Sequence, residues 1–154
     1  LHPAGTYLRN PPGSAHQPGS PDGCIIFVKL WQMNPADQAS VCVNTRDAVR
    51  WQTLADRAEC LLYEGFGERV SVLTLQPGAP LLVSNVVANA VANDAGAELL
   101  VLDGALLDRA PEAGDRRWAA GCWLRLPPGD GLHLEAAEQG ARLYLKTGHL
   151  LAQP

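Results

Sequence analysis

The sequence lacks an excess of positive charge, an uninterrupted apolar stretch and any closely spaced pair of cysteines. Its 154 residues carry a formal net charge of -4, which disfavours nucleic acid and anionic membrane surfaces as partners. The most apolar stretch, residues 81–102, is interrupted by polar and charged side chains and does not predict a transmembrane helix. No basic-then-apolar signal sequence opens the chain. We therefore expect a cytoplasmic protein that binds neither nucleic acid nor membranes.

The cysteines are widely scattered, and their spacing excludes the usual cysteine-based sites. Cys24, Cys42, Cys60 and Cys122 form no C-x-x-C pair, which argues against a thioredoxin-like motif and a zinc ribbon. The simplest expectation is four reduced and mostly buried thiols, as is usual in the cytoplasm. Cys24 is expected to be buried and unreactive.

Turn-forming residues are abundant, with 15 glycines and 12 prolines, while 47% of the residues are hydrophobic. This combination favours a globular chain of many short strands, arranged as a sandwich or barrel. One short helix is predicted over Thr45–Cys60, with Thr45 as a candidate N-cap. Turns are predicted at Asp103-Gly104 and Gln139-Gly140, among others. Strands are predicted at residues 24–28, 61–63, 69–75, 81–87, 98–102, 117–126 and 142–146.

An internal repeat is the most informative feature of the sequence. Residues 4–13 (AGTYLRNPPG) return as residues 120–129 (AGCWLRLPPG), with most positions identical. Farther along, residues 23–29 match residues 140–146, so the second copy carries one extra residue in between. The second copy fills residues 45–154, whereas only residues 1–31 represent the first copy, with residues 32–44 as a linker. We therefore expect that an upstream part of the first copy is absent from this chain.

The repeat also predicts which side chains of residues 24–29 face a core. One alternating series is apolar in both copies and is expected to be buried. It comprises Cys24, Ile26 and Val28, which correspond to Ala141, Leu143 and Leu145. The other series includes charged residues and is expected to face outward or a rim. It comprises Ile25, Phe27 and Lys29, which correspond to Arg142, Tyr144 and Lys146.

Such an apolar strand needs a cover, because an isolated strand with a wet apolar face is not stable in water. We expect residues 24–30 to be paired and buried, either on the sheet of the second copy or against a second molecule. A homodimer is the favoured expectation.

The segment Gly5 to His16 reads Gly-x5-Pro-x-Gly-x2-His, which is the form of the second cupin motif. The chain resembles the ChrR-type cupins, a family found in zinc-dependent anti-sigma factors and in double-cupin proteins. The stretches RNPPGSxH, GCIIFVKL, ELLVLDG and LKTGHL carry this resemblance. It implies an all-β fold: a cupin jelly-roll barrel for residues 45–154, preceded by leftover strands of a first cupin repeat.

The resemblance implies a divalent metal, of the zinc or iron type, in the intact first repeat, with His16 as a ligand. In such cupins the other ligands are His-x-His and a Glu on preceding strands, which for this repeat would lie upstream of Leu1. The alternative is that His16 is a hydrogen-bonded residue of a turn.

In the second repeat the corresponding positions hold few ligands. The family Glu falls at Ala97 rather than Glu98, and the last His falls at Leu132 or His133, depending on where the extra residue is placed. The His-x-His pair falls at Val91 and Asn93, or at Ala90 and Ala92. We therefore expect no metal or other cofactor in the second repeat. Glu98 is expected to be outward or hydrogen-bonded, and His149 to be structural.

The function that this resemblance implies is a non-catalytic binding or regulatory role, similar to that of the ChrR sensing domain, with no catalytic residues. The partner would be a small molecule or a protein. The His/Cys-rich segment with which true anti-sigma factors hold their sigma factor is missing, which argues against direct sigma-factor binding. The alternatives are a metal-dependent cupin dioxygenase-type enzyme, with its site in the first repeat, and a purely structural barrel.

Overall fold

The computed structural model describes residues 1–84, 90–112, 114 and 116–150, and these residues form antiparallel strands with one 3-10 helix, Ala48–Arg50. No helix in these ranges is long and apolar enough to cross a membrane. The strands are β1 (Thr6–Arg9), β2 (Val41–Asn44), β3 (Trp51–Thr53), β4 (Arg57–Gly65), β5 (Glu68–Leu75), β6 (Pro80–Val83), β7 (Ala97–Asp108), β8 (Arg117–Ala119), β9 (Trp123–Leu126) and β10 (Leu132–Thr147).

The main sheet is organised around the long strand β10. The strand order is β3-β4-β5-β10-β7-β8, while β6 also pairs with β10 and β9 with β7. The first part of β10 pairs with β6 and its last part pairs with β5, so the sheet changes neighbours along this strand. The all-β fold predicted from the sequence is therefore confirmed.

A bend in β7 and β10 allows this change of neighbours. Gly104 and Gly140 have φ angles of +70° and +76°, which only glycine adopts without strain. A Cβ atom at Gly104 would overlap the carbonyl oxygen of Gly140, and one at Gly140 would lie 2.6 Å from the Leu75 carbonyl oxygen. The register of the two strands also shifts between Ala136 and Ala141, as at a bulge. The turns predicted at Asp103-Gly104 and Gln139-Gly140 are therefore wrong, because both glycines lie inside strands.

The two faces of the sheet pack against different partners. One face forms the main apolar core, to which β10 contributes Ala141, Leu143 and Leu145. The opposite face, called the outer face below, carries Val70, Val72 and Tyr144. It is covered by the small sheet of β1 and β2, whose Tyr7, Val41 and Val43 join the same cluster. Alternation of side chains along each strand separates these two layers.

Residues 24–28 do not form the buried strand that was predicted. They belong to no strand, and Ile26 and Val28 are 63% and 53% exposed. Phe27, from the series expected to face outward, packs its ring against Tyr144 with the ring centres 5.7 Å apart. The expectation of burial fails because, within the described residues, nothing packs on the apolar side. Cys24 and Cys42 are likewise exposed and only Cys60 is buried, so the expectation of mostly buried thiols is wrong.

The strand predicted over residues 117–126 is divided into β8 and β9. Further differences concern residues 32–60. The predicted linker ends in β2, which pairs with β1 over residues 41–44. The predicted helix over Thr45–Cys60 is reduced to the 3-10 turn Ala48–Arg50, with Asp47 as its N-cap, followed by β3 and the start of β4. Pairing of β4 with β5 and burial of Cys60 outweigh the weak local preference for helix. Residues 85–87 of one predicted strand lie outside the described residues.

Candidate functional site

Apolar side chains and one amide occupy the positions of the second repeat where a metal-binding cupin carries its ligands. Ala97 is 1% exposed and belongs to an apolar cluster that Val91 and Leu132 pack against. Asn93 is buried, and its amide nitrogen donates to the carbonyl oxygens of Pro127 and Asp130, both at 2.8 Å. This amide therefore ties two loops together. His133, the remaining candidate, is exposed on β10.

The donor chemistry at these positions does not fit a divalent metal, since a cupin-type site needs several imidazole and carboxylate ligands. Across the described residues no three His, Cys, Asp or Glu side chains converge in a way that could hold a metal ion. No chemical step in this barrel is therefore assigned to a metal.

A shallow, mainly apolar depression lies beside these positions. Its volume is about 310 Å³, and the side chains around it include Trp118, Leu124, Leu126 and Leu132. The polar groups at its margin are Arg125 and Asp130. A cavity of this size and lining suits a small, largely apolar group with at most a few polar contacts.

His16 lies in the segment between β1 and β2, outside any strand, and is exposed. Within the residues that the structure describes, His16 belongs to no group of three His, Cys, Asp or Glu side chains that could hold a metal ion. Its role in metal binding therefore stays a prediction.

The charged residues that the structure does bring together lie on the outer face of the sheet. Glu98 of β7 is only 1% exposed, and its carboxylate contacts the Lys29 Nζ and His149 Nε2 atoms. The Trp123 indole donates a hydrogen bond of 3.0 Å to the other oxygen of the same carboxylate. In the sheet register Glu98 lies directly between Arg125 of β9 and Lys146 of β10.

A second buried carboxylate extends this network. Glu68 Oε1 lies 3.0 Å from Lys146 Nζ, and Glu68 Oε2 lies 3.1 Å from Arg9 Nη1. Arg9 also donates two hydrogen bonds to Asp37, of 3.2 Å from Nε and 2.5 Å from Nη2, and Tyr63 donates one of 2.6 Å to the same oxygen. We call the whole set the outer-face network, with the members Arg9, Lys29, Asp37, Tyr63, Glu68, Glu98, Trp123, Lys146 and His149.

Burial and neighbouring cations set the protonation of this network. Burial, followed by the charges of Lys146 and Lys29, lowers the pKa of His149, whose Nε2 atom contacts the Glu98 carboxylate. Burial and the Lys146 and Arg125 cations also lower the pKa of Lys29, a shift that the charge of Glu68 opposes. The pKa of Asp37 is lowered although burial raises it, because hydrogen bonds from Tyr63 and Arg9 outweigh burial.

The network joins residues 1–37 to the barrel. Its member Trp123 also lines the apolar depression, whereas its carboxylate, amine and imidazole groups are not among the lining side chains. Arg9 and Lys29 of the N-terminal part contact the barrel carboxylates of Glu68 and Glu98. Asp37 of the N-terminal part accepts a hydrogen bond from the Tyr63 hydroxyl of the barrel. Buried ion pairs and charge-assisted hydrogen bonds arranged in this way hold two parts of a chain together.

Sequence reasoning expected Glu98 to be hydrogen-bonded and His149 to be structural, and both contacts agree with this. It missed the other members, although the repeat held a signal: Lys29 corresponds to Lys146, and both lie in one network.

Comparisons with known proteins were made for sequence and for structure. Residues 1–34 match the family model described as the ChrR cupin-like domain. The comparison with curated proteins gave no match. The cupin domain of Cnp3 from Schizosaccharomyces pombe is similar in structure, with a TM-score of 0.52 and 15% identity over 71% of this chain and 77% of that one.

Two further solved structures are informative. A Methylibium petroleiphilum protein whose name proposes acetylacetone dioxygenase activity matches with a TM-score of 0.52 and 13% identity, covering 68% of this chain and 74% of that one. The complex of SigE with the anti-sigma ChrR from Rhodobacter sphaeroides matches with a TM-score of 0.49 and 23% identity, covering 66% of this chain. This match spans only 50% of that chain. A separate match to a cupin-like protein from Ralstonia eutropha spans 55% of that protein. The likenesses to the Cnp3 cupin domain and to the Methylibium petroleiphilum protein show that the described chain has a cupin fold.

Proposed function

We propose, from a cupin fold whose residues 1–34 match the ChrR cupin-like domain, that this chain is the non-catalytic part of a double-cupin protein with a binding or regulatory role. The observation that carries the proposal is the interior of the second-repeat barrel, where Ala97, Val91 and Asn93 stand where a metal-binding cupin needs ligands. A fold alone would not support this, because cupins also serve as enzymes.

The disposition of the charged groups supports the same proposal. A catalytic acid or base must reach a substrate proton within hydrogen-bonding distance. Glu98 and His149 are instead in contact with each other and with Lys29, on the face that the N-terminal part covers. The apolar depression near Trp118 and Leu132 is the place where a small-molecule partner would bind.

A dioxygenase-type enzyme is the alternative function, and the name of one structural neighbour suggests it. Its metal would have to lie in the first repeat, since the second-repeat positions carry no suitable ligand set within the described residues. Likeness at 13% identity supports a shared fold only, so the non-catalytic role is preferred.

We further propose that the first repeat holds a divalent metal to which His16 contributes one imidazole. Imidazole nitrogen is a ligand for both zinc and iron, and the exposed position of His16 leaves its ring accessible. A single imidazole does not hold a metal tightly, so the remaining ligands must come from other residues of the natural protein.

The experiment compares metal content in the full-length natural protein and two histidine variants. Loss of one direct ligand costs more than loss of a supporting residue, itself about 10–100-fold, so His16→Ala should lower bound metal at least tenfold. His133→Ala is the matched control, because His133 is also exposed but belongs to the second repeat. Elemental analysis after gel filtration gives the result. Unchanged metal in His16→Ala, or loss in His133→Ala, would overturn the proposal.

A further inference from the structure

Residues 24–30 form an apolar segment that the sheet of the described chain does not include. Among the described residues, no backbone hydrogen bond joins residues 24–33 to any other part of the backbone. Unpaired N–H and C=O groups along an apolar segment are what an additional strand pairs with.

The contacts of this segment follow the internal repeat. Phe27 stacks edge-on against Tyr144, which is its own counterpart in the second repeat. Lys29 and its counterpart Lys146 both lie in the outer-face network, on Glu98 and Glu68. Two members of the outward series of the first repeat, Phe27 and Lys29, therefore face the outward series of the second, whereas Ile25 is exposed.

The opposite series of the segment points away from the barrel. Ile26 and Val28 are more than half exposed, whereas their counterparts Leu143 and Leu145 are 0% and 5% exposed in the main core. The segment is thus oriented as the last strand of a barrel, with its outer side on the second repeat and its core side turned to solvent.

No charge protects that exposed side. Lys29 is the one charged residue of the sequence CIIFVKLW at positions 24–31, and its ammonium group is engaged by Glu98. Edge strands that remain exposed usually carry charges or prolines that prevent pairing. The unpaired backbone N–H and C=O groups of this apolar segment can therefore hydrogen-bond to an apolar strand on each side.

We propose that the exposed face of residues 24–30 is the inner wall of a first cupin barrel, which packs outer face to outer face on the second. Its occupants are antiparallel strands of the first repeat, one on each edge, as β5 and β7 flank the counterpart strand β10. This inference rests on the double-cupin organisation proposed above, and it adds the position and orientation of the missing barrel.

Two arginine substitutions at neighbouring positions test the proposal in the full-length natural protein. Ile25→Arg places on the outward series the residue that its counterpart, Arg142, already carries. Ile26→Arg places the same residue on the core series. The amides of residues 25–29 should be protected from hydrogen exchange at least about a hundredfold in the parent and in Ile25→Arg, because core strands open rarely. Ile26→Arg should abolish that protection.

Two results would overturn the proposal. One is exchange of these amides at the rate of an unfolded chain in the parent protein. The other is a dimer of the 154-residue chain, measured by sedimentation, that Ile26→Arg dissociates and Ile25→Arg does not, since a second copy would then cover the face. Both measurements are made with a metal chelator present, so their results do not depend on whether His16 binds a metal.

Discussion

The counterpart segments 24–29 and 141–146 share one sequence pattern but differ in strand pairing and in burial. Residues 141–146 lie in β10 and are paired with β5 on one side and β7 on the other, so their apolar series is buried. Residues 24–29 have the same alternation but no pairing, and their apolar series is exposed. The comparison teaches that an alternating pattern specifies which side chains share a face, whereas neighbouring strands determine whether that face is buried.

Two of the three outward positions behave alike in both segments. Tyr144 and Phe27 contact each other, and Lys146 and Lys29 each contact a buried glutamate. A face that can pack against its own counterpart is self-complementary, as in a two-fold interface. The outer-face network is therefore part of the contact between residues 1–37 and the main sheet.

The largest difference between the counterparts is expected from truncating their core-facing residues. Leu143→Ala removes a side chain from the main core and should lower the free energy of unfolding by about 3 kcal/mol. Ile26→Ala, at the matching position, should change it by less than about 0.5 kcal/mol in the 154-residue chain. Urea unfolding measures both. Equal losses would show that residues 24–30 are covered in solution.

A middle-sized effect is expected from the network that joins the two repeats. Glu98→Gln keeps the shape of the side chain and removes its charge, so the Lys29 ammonium loses its counter-ion. We expect a loss of about 2 kcal/mol, the usual contribution of hydrogen bonds to a charged group.

The control is Glu135→Gln. Glu135 pairs with Arg109 at the surface, so this substitution should leave the unfolding midpoint unchanged. If the two variants unfold alike, the outer-face network does not stabilise the protein.

Much of the sheet was predictable because alternation and turn residues act locally. The strands around residues 69–75, 98–102 and 142–146 appear within β5, β7 and β10, and Pro77-Gly78 does form the turn between β5 and β6. Local rules failed at Gly104 and Gly140. Their role depends on two strands meeting at a bend, and a single strand read alone shows only a residue typical of turns.

The candidate site was less predictable, since it is built from distant residues. Arg9, Asp37 and Glu68 have no sequence spacing that marks them, and they become partners only when the N-terminal part lies on the sheet. The interior of the second barrel is different. There the sequence placed Ala97 at the family Glu position and left the His-x-His pair at Val91 and Asn93 or at Ala90 and Ala92. In the structure Ala97 lies in an apolar cluster, and the Asn93 amide donates to loop carbonyl oxygens.

The smallest effect tests the contact between counterparts directly. A double-mutant cycle with Phe27→Ala and Tyr144→Ala should give a coupling free energy of about 0.5–1 kcal/mol, as for other edge-to-face aromatic pairs. The matched control cycle combines Ile26→Ala, one residue away on the exposed side, with Tyr144→Ala. It should give no coupling free energy. Because each cycle subtracts the single-variant losses, general destabilisation by Tyr144→Ala cancels. Coupling in the second cycle and none in the first would mean that residues 24–30 lie on the barrel with the opposite face, and the orientation derived from the repeat would then be wrong.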